Sequence, residues 1–289
     1  MINSPEQLKQ LLNNQNYLVD DFISTTVYLA CALEKPLLIE GPAGVGKTQL
    51  AICLARALDK ELIRLQCYEG IDASKALYDW DYPRQLLRIQ AGNGEGWKRA
   101  SEEIFGREFL LQRPLLRSLL SSKPALLLID ELDKSGEEFE SFLLELLADF
   151  QVTIPELGTV EAKVKPLVLL TSNGSRDFSD ALRRRCLHLY INYPDLAREQ
   201  DILTRLCTES DDAVVRESVE LIQRIRKLPL HKLPSISESI DFVNALAKLK
   251  ITRITPESLT GLAGIILKYP QDIKSVSEKA VALTGFVKV

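Results

Sequence analysis

The chain of 289 residues contains only two histidines, one methionine and five cysteines. The cysteines lie far apart, no two of them form a CxxC pair, and their odd number does not fit a closed set of disulfides. This pattern argues against a disulfide-rich secreted domain and against a cysteine-ligated zinc site. We therefore expect a cytoplasmic protein with reduced, mostly buried thiols at Cys31, Cys53, Cys67, Cys186 and Cys207.

The sequence also lacks an N-terminal signal-peptide pattern and any apolar run long enough to cross a membrane. Its formal net charge of -4 gives no support to non-specific binding of nucleic acid, which we do not expect as a partner. The composition, 46% hydrophobic and 26% charged, is typical of soluble globular proteins and permits a sizeable core. A chain of this length is expected to form two domains.

The motif with the clearest chemistry is Gly41–Thr48, which matches the phosphate-binding loop pattern of glycine, four residues, glycine, lysine and threonine. Lys35–Glu40 before it is predicted to be a short buried strand, and Thr48–Leu58 after it a helix. In such a loop the backbone N–H groups and the helix N-terminus face a phosphate, the lysine reaches the β- and γ-phosphates, and the threonine hydroxyl holds Mg²⁺. A chance glycine turn would not be expected to have both flanking elements. The predicted nucleotide contacts are Gly41, Pro42, Ala43, Gly44, Val45, Gly46, Lys47 and Thr48.

A second chemical signal is the apolar run Pro124–Ile129, which is followed by the carboxylates Asp130 and Glu131. Such a run favours a strand buried on both faces of a parallel sheet, and ligands bind at the carboxyl ends of such strands. We predict that Asp130, together with Thr48, binds Mg²⁺ and that Glu131 polarises the water that attacks ATP. Taken alone, the two carboxylates would also fit a helix cap after a strand.

Two further polar sites follow other predicted elements. A later apolar strand leads to Asn173, whose amide is expected to orient the same water molecule. A short helix near Ser179–Arg184 and the residue after it carry three consecutive arginines. Charge runs are usually solvated, but an arginine from a neighbouring subunit can stabilise the transition state at the γ-phosphate. We therefore treat Arg184 and Arg185 as candidates for that role.

The remaining patterns divide the chain. We predict a β-hairpin from Gln151–Ile154 and Thr159–Ala162, helices at Phe109–Leu120 and Asp133–Leu147, and a flexible loop at Gly92–Gly96 that either faces a central channel or is a spacer. After Pro194 all predicted elements are helices. We therefore place an α/β nucleotide-binding domain at residues 1–193 and a helical domain at residues 194–289.

Together these segments resemble the AAA+ ATPases. Gly41–Thr48 corresponds to Walker A, Leu126–Glu131 to Walker B and Asn173 to sensor 1, while Arg184 and Arg185 lie in the arginine-finger region. The predicted hairpin and the long segment before Walker B resemble the pre-sensor hairpin and the helix-2 insert of one AAA+ clade. Within that clade the chain is most similar to the MoxR family and its CoxD-like branch, through the segments Leu65–Gly70, Ala76–Tyr82, Leu170–Asn173 and Asp180–Cys186.

The resemblance implies a parallel sheet between helices, followed by an all-α lid, with ATP and Mg²⁺ as cofactors. It also implies ATP hydrolysis by a homo-oligomeric ring, usually hexameric, that acts as a chaperone or remodeller of a protein client. The usual partner of the family carries a von Willebrand A-type domain, and the CoxD branch is linked to maturation of molybdenum-containing carbon monoxide dehydrogenase. One feature departs from the family: its lid often has a sensor 2 arginine at the start of a helix, but Pro234–Ser239 contains none.

Two functions of other classes fit parts of the sequence. A DNA-directed AAA+ motor, such as a clamp loader or a branch-migration enzyme, shares the ATPase motifs. The acidic balance argues against it, and we expect no appended DNA-binding module. A nucleotide-gated switch that scarcely hydrolyses ATP would share the phosphate loop, but the presence of Glu131 argues against this function.

Overall fold

The computed structural model describes residues 2–91 and 104–285 of the chain. Contacts divide these residues into two compact units. The first unit comprises the residues up to Leu11, then Val19–Glu40 and Thr48–Tyr190. The second comprises Leu12–Leu18, Gly41–Lys47 and the residues from Ile191 onwards. The division of the sequence into domains at residues 1–193 and 194–289 stays a prediction.

Strands occur in the described residues only before Ile191. They are β1 (Leu37–Glu40), β2 (Glu61–Gln66), β3 (Tyr78–Trp80), β4 (Leu110–Gln112), β5 (Ala125–Asp130), β6 (Gln151–Ile154), β7 (Gly158–Glu161), β8 (Leu167–Ser172) and β9 (Leu187–Tyr190). The helices up to the same point are α1 (Pro5–Asn14), α2 (Asp21–Ala32), α3 (Lys47–Ala57), α4 (Ala73–Leu77), α5 (Tyr82–Ala91), α6 (Pro114–Leu120), α7 (Glu137–Asp149) and α8 (Asp180–Arg185). The later helices are α9 (Leu196–Leu206), α10 (Asp212–Ile225), α11 (Ile236–Lys248), α12 (Pro256–Ile266), α13 (Pro270–Glu278) and α14 (Ala280–Thr284).

Five strands form a parallel sheet in the order β2-β5-β8-β1-β9. The two strands with continuous apolar sequences, β5 and β8, lie inside the sheet, and every residue of both is buried. Leu127 of β5 pairs with Val168 of β8, and Ile39 of β1 pairs with Thr171 of β8. The carboxyl ends of these three strands therefore lie at the same edge of the sheet. The predicted α/β fold with a parallel sheet is confirmed.

Two predicted helices begin later than the sequence pattern indicated. The helix predicted at Phe109–Leu120 begins at Pro114, because β4 occupies the residues before it and pairs antiparallel with β3. Proline has no N–H to donate and its φ is already helical, so it favours the first turn. The helix predicted from Asp133 begins at Glu137, after a 3₁₀ turn at Leu132–Lys134.

Other predictions of local structure have simple outcomes. The predicted hairpin is confirmed as β6 and β7, in which Gln151 pairs with Glu161 and Ile154 with Gly158. The predicted loop at Gly92–Gly96 lies outside the described residues.

The five cysteines are free, and all except Cys31 are buried, as expected. Within residues 2–91 and 104–285, no helix is long and apolar enough to cross a membrane.

The helices of the second unit pack around a shared apolar core. Each of α10 to α14 contributes at least one buried side chain, because each helix has an apolar face. The contributing residues include Ile222, Phe242, Leu259, Val276 and Leu283.

The second unit also contains a buried ion pair. Glu199 of α9 is fully buried, and its two carboxylate oxygens accept hydrogen bonds from Arg226 at 2.5 and 2.7 Å. Gln223 and Ser239 donate to the same carboxylate at 2.8 and 2.7 Å. The Nε of Arg226 donates to the carbonyl oxygen of Pro234 at 2.7 Å. The ion pair therefore links α9, the end of α10 and the segment that precedes α11.

We expect Arg226→Met to lower the free energy of unfolding by about 3–5 kcal/mol, because Glu199 would stay buried without its countercharge. Urea unfolding followed by circular dichroism measures this change. The control is Lys248→Met, which breaks an ion pair with Glu209 whose side chains are 74% and 70% exposed. The control should unfold at nearly the wild-type urea concentration. Equal midpoints for the two variants would contradict a large cost of leaving Glu199 buried without its countercharge.

Candidate nucleotide-binding site

The predicted metal ligands lie side by side in the first unit. Asp130 ends β5 and is only 1% exposed. Its carboxylate accepts a hydrogen bond from the Thr48 hydroxyl at 2.9 Å and another from the Thr171 hydroxyl at 2.5 Å. Thr48 lies in the first turn of α3, so the sheet edge and the start of the helix meet at this carboxylate.

These oxygen atoms are suitable ligands for Mg²⁺. A hydroxyl and a carboxylate are hard donors, and Mg²⁺ in phosphate-binding sites typically takes one or two protein ligands together with water and substrate phosphates. Among the described residues, no group of three or more His, Cys, Asp or Glu side chains could hold a metal ion. With one hydroxyl and one carboxylate, Thr48 and Asp130 fit a metal ion that takes its other ligands from water and a nucleotide.

Sequence reasoning missed a cation at this carboxylate. Arg64 of β2 donates to Oδ2 of Asp130 from Nε at 3.0 Å and from Nη2 at 2.5 Å. The same Nη2 donates to Oε1 of Gln66 at 2.5 Å. Arg64 and Gln66 are the exposed positions of a strand whose alternate residues Ile63 and Leu65 are buried. The alternation was the available signal, since it places both polar side chains on one face of the strand next to β5.

Glu131 has a constrained backbone and a partly exposed side chain. Its φ of 56° and ψ of 48° are left-handed, a conformation that costs a residue other than glycine about 1–3 kcal/mol. Its N–H donates to the Thr171 hydroxyl at 2.9 Å. Its carboxylate is 32% exposed and accepts hydrogen bonds from Gln66 at 2.8 Å and from Lys134. The predicted base is therefore held in one direction while remaining accessible to water.

The segment that contains Asn173 is fixed by Asp133. Burial alone would raise the pKa of Asp133, but hydrogen bonds from the Ser175 hydroxyl and from the backbone N–H groups of Ser175 and Asn173 lower it below the usual value. Asn173 is half-buried and directly follows β8. Because β8 pairs with β5, the structure brings Asn173 to the same end of the sheet as Asp130.

Arg184 and Arg185, the two arginines predicted to act on a neighbouring subunit, form no described side-chain contact with Asp130, Glu131 or Asn173. Arg184 and Arg185 are exposed in the last turn of α8. In the part of the chain that the structure describes, neither side chain forms a hydrogen bond or an ion pair. Arg183 differs, since it contacts Glu40 at 3.2 Å and Asp177 at 3.7 Å.

Cys67 lies beside the acidic groups but is a poor nucleophile. Burial, followed by the negative charges of Asp130, Asp133 and Glu131, raises the pKa of its thiol to about 12. The thiolate is the reactive form of cysteine, and it is scarce at neutral pH when the pKa is this high. Cysteine chemistry is therefore not expected at this site.

The phosphate loop up to Lys47 belongs to the second unit. The Lys47 ammonium is buried and donates to the carbonyl oxygens of Gly41 at 2.6 Å and Pro42 at 2.7 Å. The ammonium therefore lies within the curve of the loop. The hydroxyl of Tyr17 also donates to the carbonyl oxygen of Gly46 at 3.2 Å. Sequence reasoning did not identify Tyr17, because its separation from the loop along the chain gives no local signal.

Glycine is required at Gly44 for two reasons. Its φ of 77° is left-handed, a region that side chains with a Cβ rarely adopt. A Cβ at this position would lie 2.2 Å from Oγ of Ser235, which precedes α11 in the same unit. The sequence drew attention to Pro234–Ser239 only because this segment has no sensor 2 arginine. The structure shows that Ser235 of this segment lies against the loop.

Comparison with known proteins agrees with these motifs. Residues 37–193, more than half of the chain, match the sequence model of the ATPase family associated with various cellular activities, abbreviated AAA. An uncharacterized protein of Staphylococcus haemolyticus is 24% identical over 249 residues, which cover 83% of this chain and 86% of that protein. An uncharacterized protein of Staphylococcus aureus is 25% identical over 224 residues, which cover 75% of this chain and 77% of that protein.

A similar fold has been seen in a solved structure. A point mutant of RuvB from Thermotoga maritima matches 92% of this chain and 70% of its own chain, with a TM-score of 0.51 and 15% sequence identity. At this identity the likeness concerns the fold alone.

We expect Gly44→Ala to abolish nucleotide binding, because the added methyl group forces the loop and Ser235 apart. Isothermal titration calorimetry with Mg-ATP measures the loss. The matched control is Gly158→Ala in the β6–β7 turn, where φ is also 77° but nothing lies within 4 Å of the added Cβ. Both variants carry the same backbone strain, so only Gly44→Ala should lose binding. Wild-type affinity in Gly44→Ala would show that the contact with Ser235 is unimportant.

Proposed function

This chain belongs to the AAA family of ATPases, and we propose that it is a Mg²⁺-dependent ATPase of the MoxR type, from the CoxD-like branch, that remodels a protein client. The observation that carries the proposal is the contact between Thr48 and Asp130. Their side chains are 82 residues apart in the sequence, yet their oxygen atoms are 2.9 Å apart. This pair of oxygen ligands at the end of a phosphate loop supports a site for a nucleotide with its metal.

In this proposal the loop and the sheet edge have separate tasks. The Lys47 ammonium and the backbone N–H groups of the loop Gly41–Lys47, other than Pro42, hold the phosphates of ATP. Thr48 and Asp130 hold Mg²⁺, which when bound neutralises charge that develops on the phosphates. Positioning and charge neutralisation are most of what phosphoryl transfer needs from a protein.

Glu131 is proposed to accept the proton of the attacking water, with Asn173 orienting that water. Two observations support the assignment of Glu131. Its carboxylate is partly exposed, and its backbone is fixed by the hydrogen bond to Thr171. A group held in this way can meet a water molecule in one geometry, which general base catalysis requires.

Glu131→Gln should bind Mg-ATP but hydrolyse it about 10²-fold or more slowly, because an amide cannot accept the proton. Steady-state phosphate release measures hydrolysis, and equilibrium binding of ATP to the same variant is the internal control. Near-normal hydrolysis would remove Glu131 from the role of base.

We place the active sites in a homo-oligomeric ring, hexameric as the MoxR resemblance implies. Arg184 and Arg185 would then act on the nucleotide of the neighbouring subunit. Their exposure at the end of α8 supports this role, as does the contrast with Arg183, which is held by Glu40 and Asp177. An arginine donated in trans adds positive charge where the γ-phosphate transition state is negative.

Arg185→Ala should bind ATP normally and lose about 10³-fold or more in turnover, the contribution that an arginine finger can make. The control is Arg117→Ala, which removes an exposed arginine paired with Glu61 and should retain turnover. The specific activity of the wild type should rise with protein concentration. Mixing Arg185→Ala with Glu131→Gln subunits should recover turnover, because some sites then combine an intact base with an intact finger. Full activity in a monomer, independent of concentration, would contradict the shared site.

We propose that the chain acts in the cytoplasm on a protein client, which the CoxD-like branch implies is a metalloenzyme under maturation. A partner with a von Willebrand A-type domain is part of the same proposal. A pull-down with the Glu131→Gln variant and ATP would retain the client, since hydrolysis no longer releases it. Stimulation of ATP turnover by DNA at moderate salt would instead favour a DNA-directed motor.

A further inference from the structure

We propose that Arg64 competes with Mg²⁺ for Asp130 and thereby sets the Mg²⁺ concentration at which the site is loaded. The inference rests on the proposed function, because it concerns the metal that accompanies the nucleotide. It assigns to Arg64 the role of a positioning residue, one that controls the carboxylate and does not itself touch the reacting atoms.

The first step of the argument is the saturation of Asp130. Its carboxylate is buried and already accepts hydrogen bonds from the hydroxyls of Thr48 and Thr171. Arg64 adds two N–H donors to Oδ2, at 3.0 and 2.5 Å. A buried carboxylate requires a countercharge, and Arg64 supplies it from within the chain.

The second step is the conflict between two cations. The Thr48 hydroxyl is also a predicted ligand of Mg²⁺, so the metal would lie against the same carboxylate that Arg64 contacts. A guanidinium and a divalent cation repel each other, and both cannot stay in close contact with one buried carboxylate without mutual cost. Removing the guanidinium should therefore strengthen binding of the metal.

The third step is that Arg64 is able to leave. Its side chain is 49% exposed, whereas that of Asp130 is 1% exposed. Arg64 lies on β2, an edge strand of the sheet, and points away from the buried residues Ile63 and Leu65. The guanidinium can thus return to water without opening the core, while Asp130 stays in place.

Arg64 is also connected to Glu131 by hydrogen bonds through Gln66. The amide oxygen of Gln66 accepts from Arg64, and its amide nitrogen donates to Glu131 at 2.8 Å. This orientation of the amide follows from chemistry, because a guanidinium can only donate and a carboxylate can only accept. Movement of Arg64 away from both Asp130 and Gln66 would remove one of the two side-chain hydrogen bonds of Gln66, which couples loading of the metal to the orientation of the proposed base.

The test is the Mg²⁺ dependence of ADP binding, measured by calorimetry at a series of free Mg²⁺ concentrations. Arg64→Met removes the charge and keeps the length of the side chain. We expect that Mg²⁺ enhances ADP binding to this variant half-maximally at a concentration about fivefold or more below that needed by the wild type. This factor is within the usual range for coupled binding events. Arg64→Lys, which keeps a cation but cannot donate twice to Oδ2, should fall between Arg64→Met and the wild type. Arg117→Met is the matched control on an exposed pair with Glu61 of the same strand, and it should match the wild type.

Electron paramagnetic resonance of Mn²⁺ in the presence of ADP gives a second readout that does not depend on catalysis. Arg64→Met and Arg64→Lys should both bind Mn²⁺ more tightly than the wild type. An unchanged or higher metal requirement in both variants would overturn the inference. If the wild type itself showed no metal-dependent binding of ADP, the proposed function would fail; metal-dependent binding that is identical in wild type and variants would refute the role of Arg64 alone.

Discussion

The first unit depends on the placement of one buried carboxylate. Asp130 ends the most apolar strand of the sheet and is only 1% exposed, so in this structure its hydrogen bonds come from the protein. Thr48 from α3, Thr171 from β8 and Arg64 from β2 provide those bonds. The hydrogen bonds to this one carboxylate thus connect β5 with α3, β8 and β2. The same elements carry the groups that phosphoryl transfer would use.

Thr171 has a second task that follows from the first. Its hydroxyl donates to Asp130 and accepts the N–H of Glu131. One hydroxyl therefore satisfies the buried acid and holds the next residue in a left-handed conformation. Without that hydrogen bond Glu131 would gain from relaxing to an ordinary conformation, and its carboxylate would turn away from its present position.

The second unit has a comparable constraint at the phosphate loop. Ser235 lies against Gly44, and the residue before it, Pro234, is held by a hydrogen bond from Arg226. Arg226 is in turn held by the buried Glu199. The ion pair in the helical core thereby reaches the backbone of the segment that contacts the loop. A buried ion pair adds little net stability when its desolvation cost is counted. Here the pair of Glu199 and Arg226 positions the backbone of Pro234.

Most of the fold could be predicted because its signals are local. The phosphate loop is a contiguous sequence motif, and the apolar runs of β5 and β8 favour strands that are buried on both faces of a sheet. β3 and β4 were missed, because strands of three residues are stable only through pairing with each other across a long separation in sequence. Arg64 and Glu199 were missed for a related reason. Alternation or helical periodicity indicates which face a charged residue occupies, but its partner lies on another element and leaves no local pattern.

The lid segment adds a constraint on where positive charge can come from. Pro234–Ser239 contains no arginine, and its polar groups form a capping box in which Ser235 pairs with Glu238. Burial alone would raise the pKa of Glu238, but the hydrogen bonds from the side chain and backbone of Ser235 lower it, so the carboxylate is ionised at neutral pH. The start of α11 thus carries an ionised carboxylate in the segment where the family often has an arginine. Under the proposed function, no arginine from Pro234–Ser239 assists Lys47 at the phosphates. In that proposal Lys47 and the bound Mg²⁺ neutralise part of the charge that develops on the γ-phosphate, and an arginine donated from α8 of a neighbouring subunit adds positive charge that this segment does not supply.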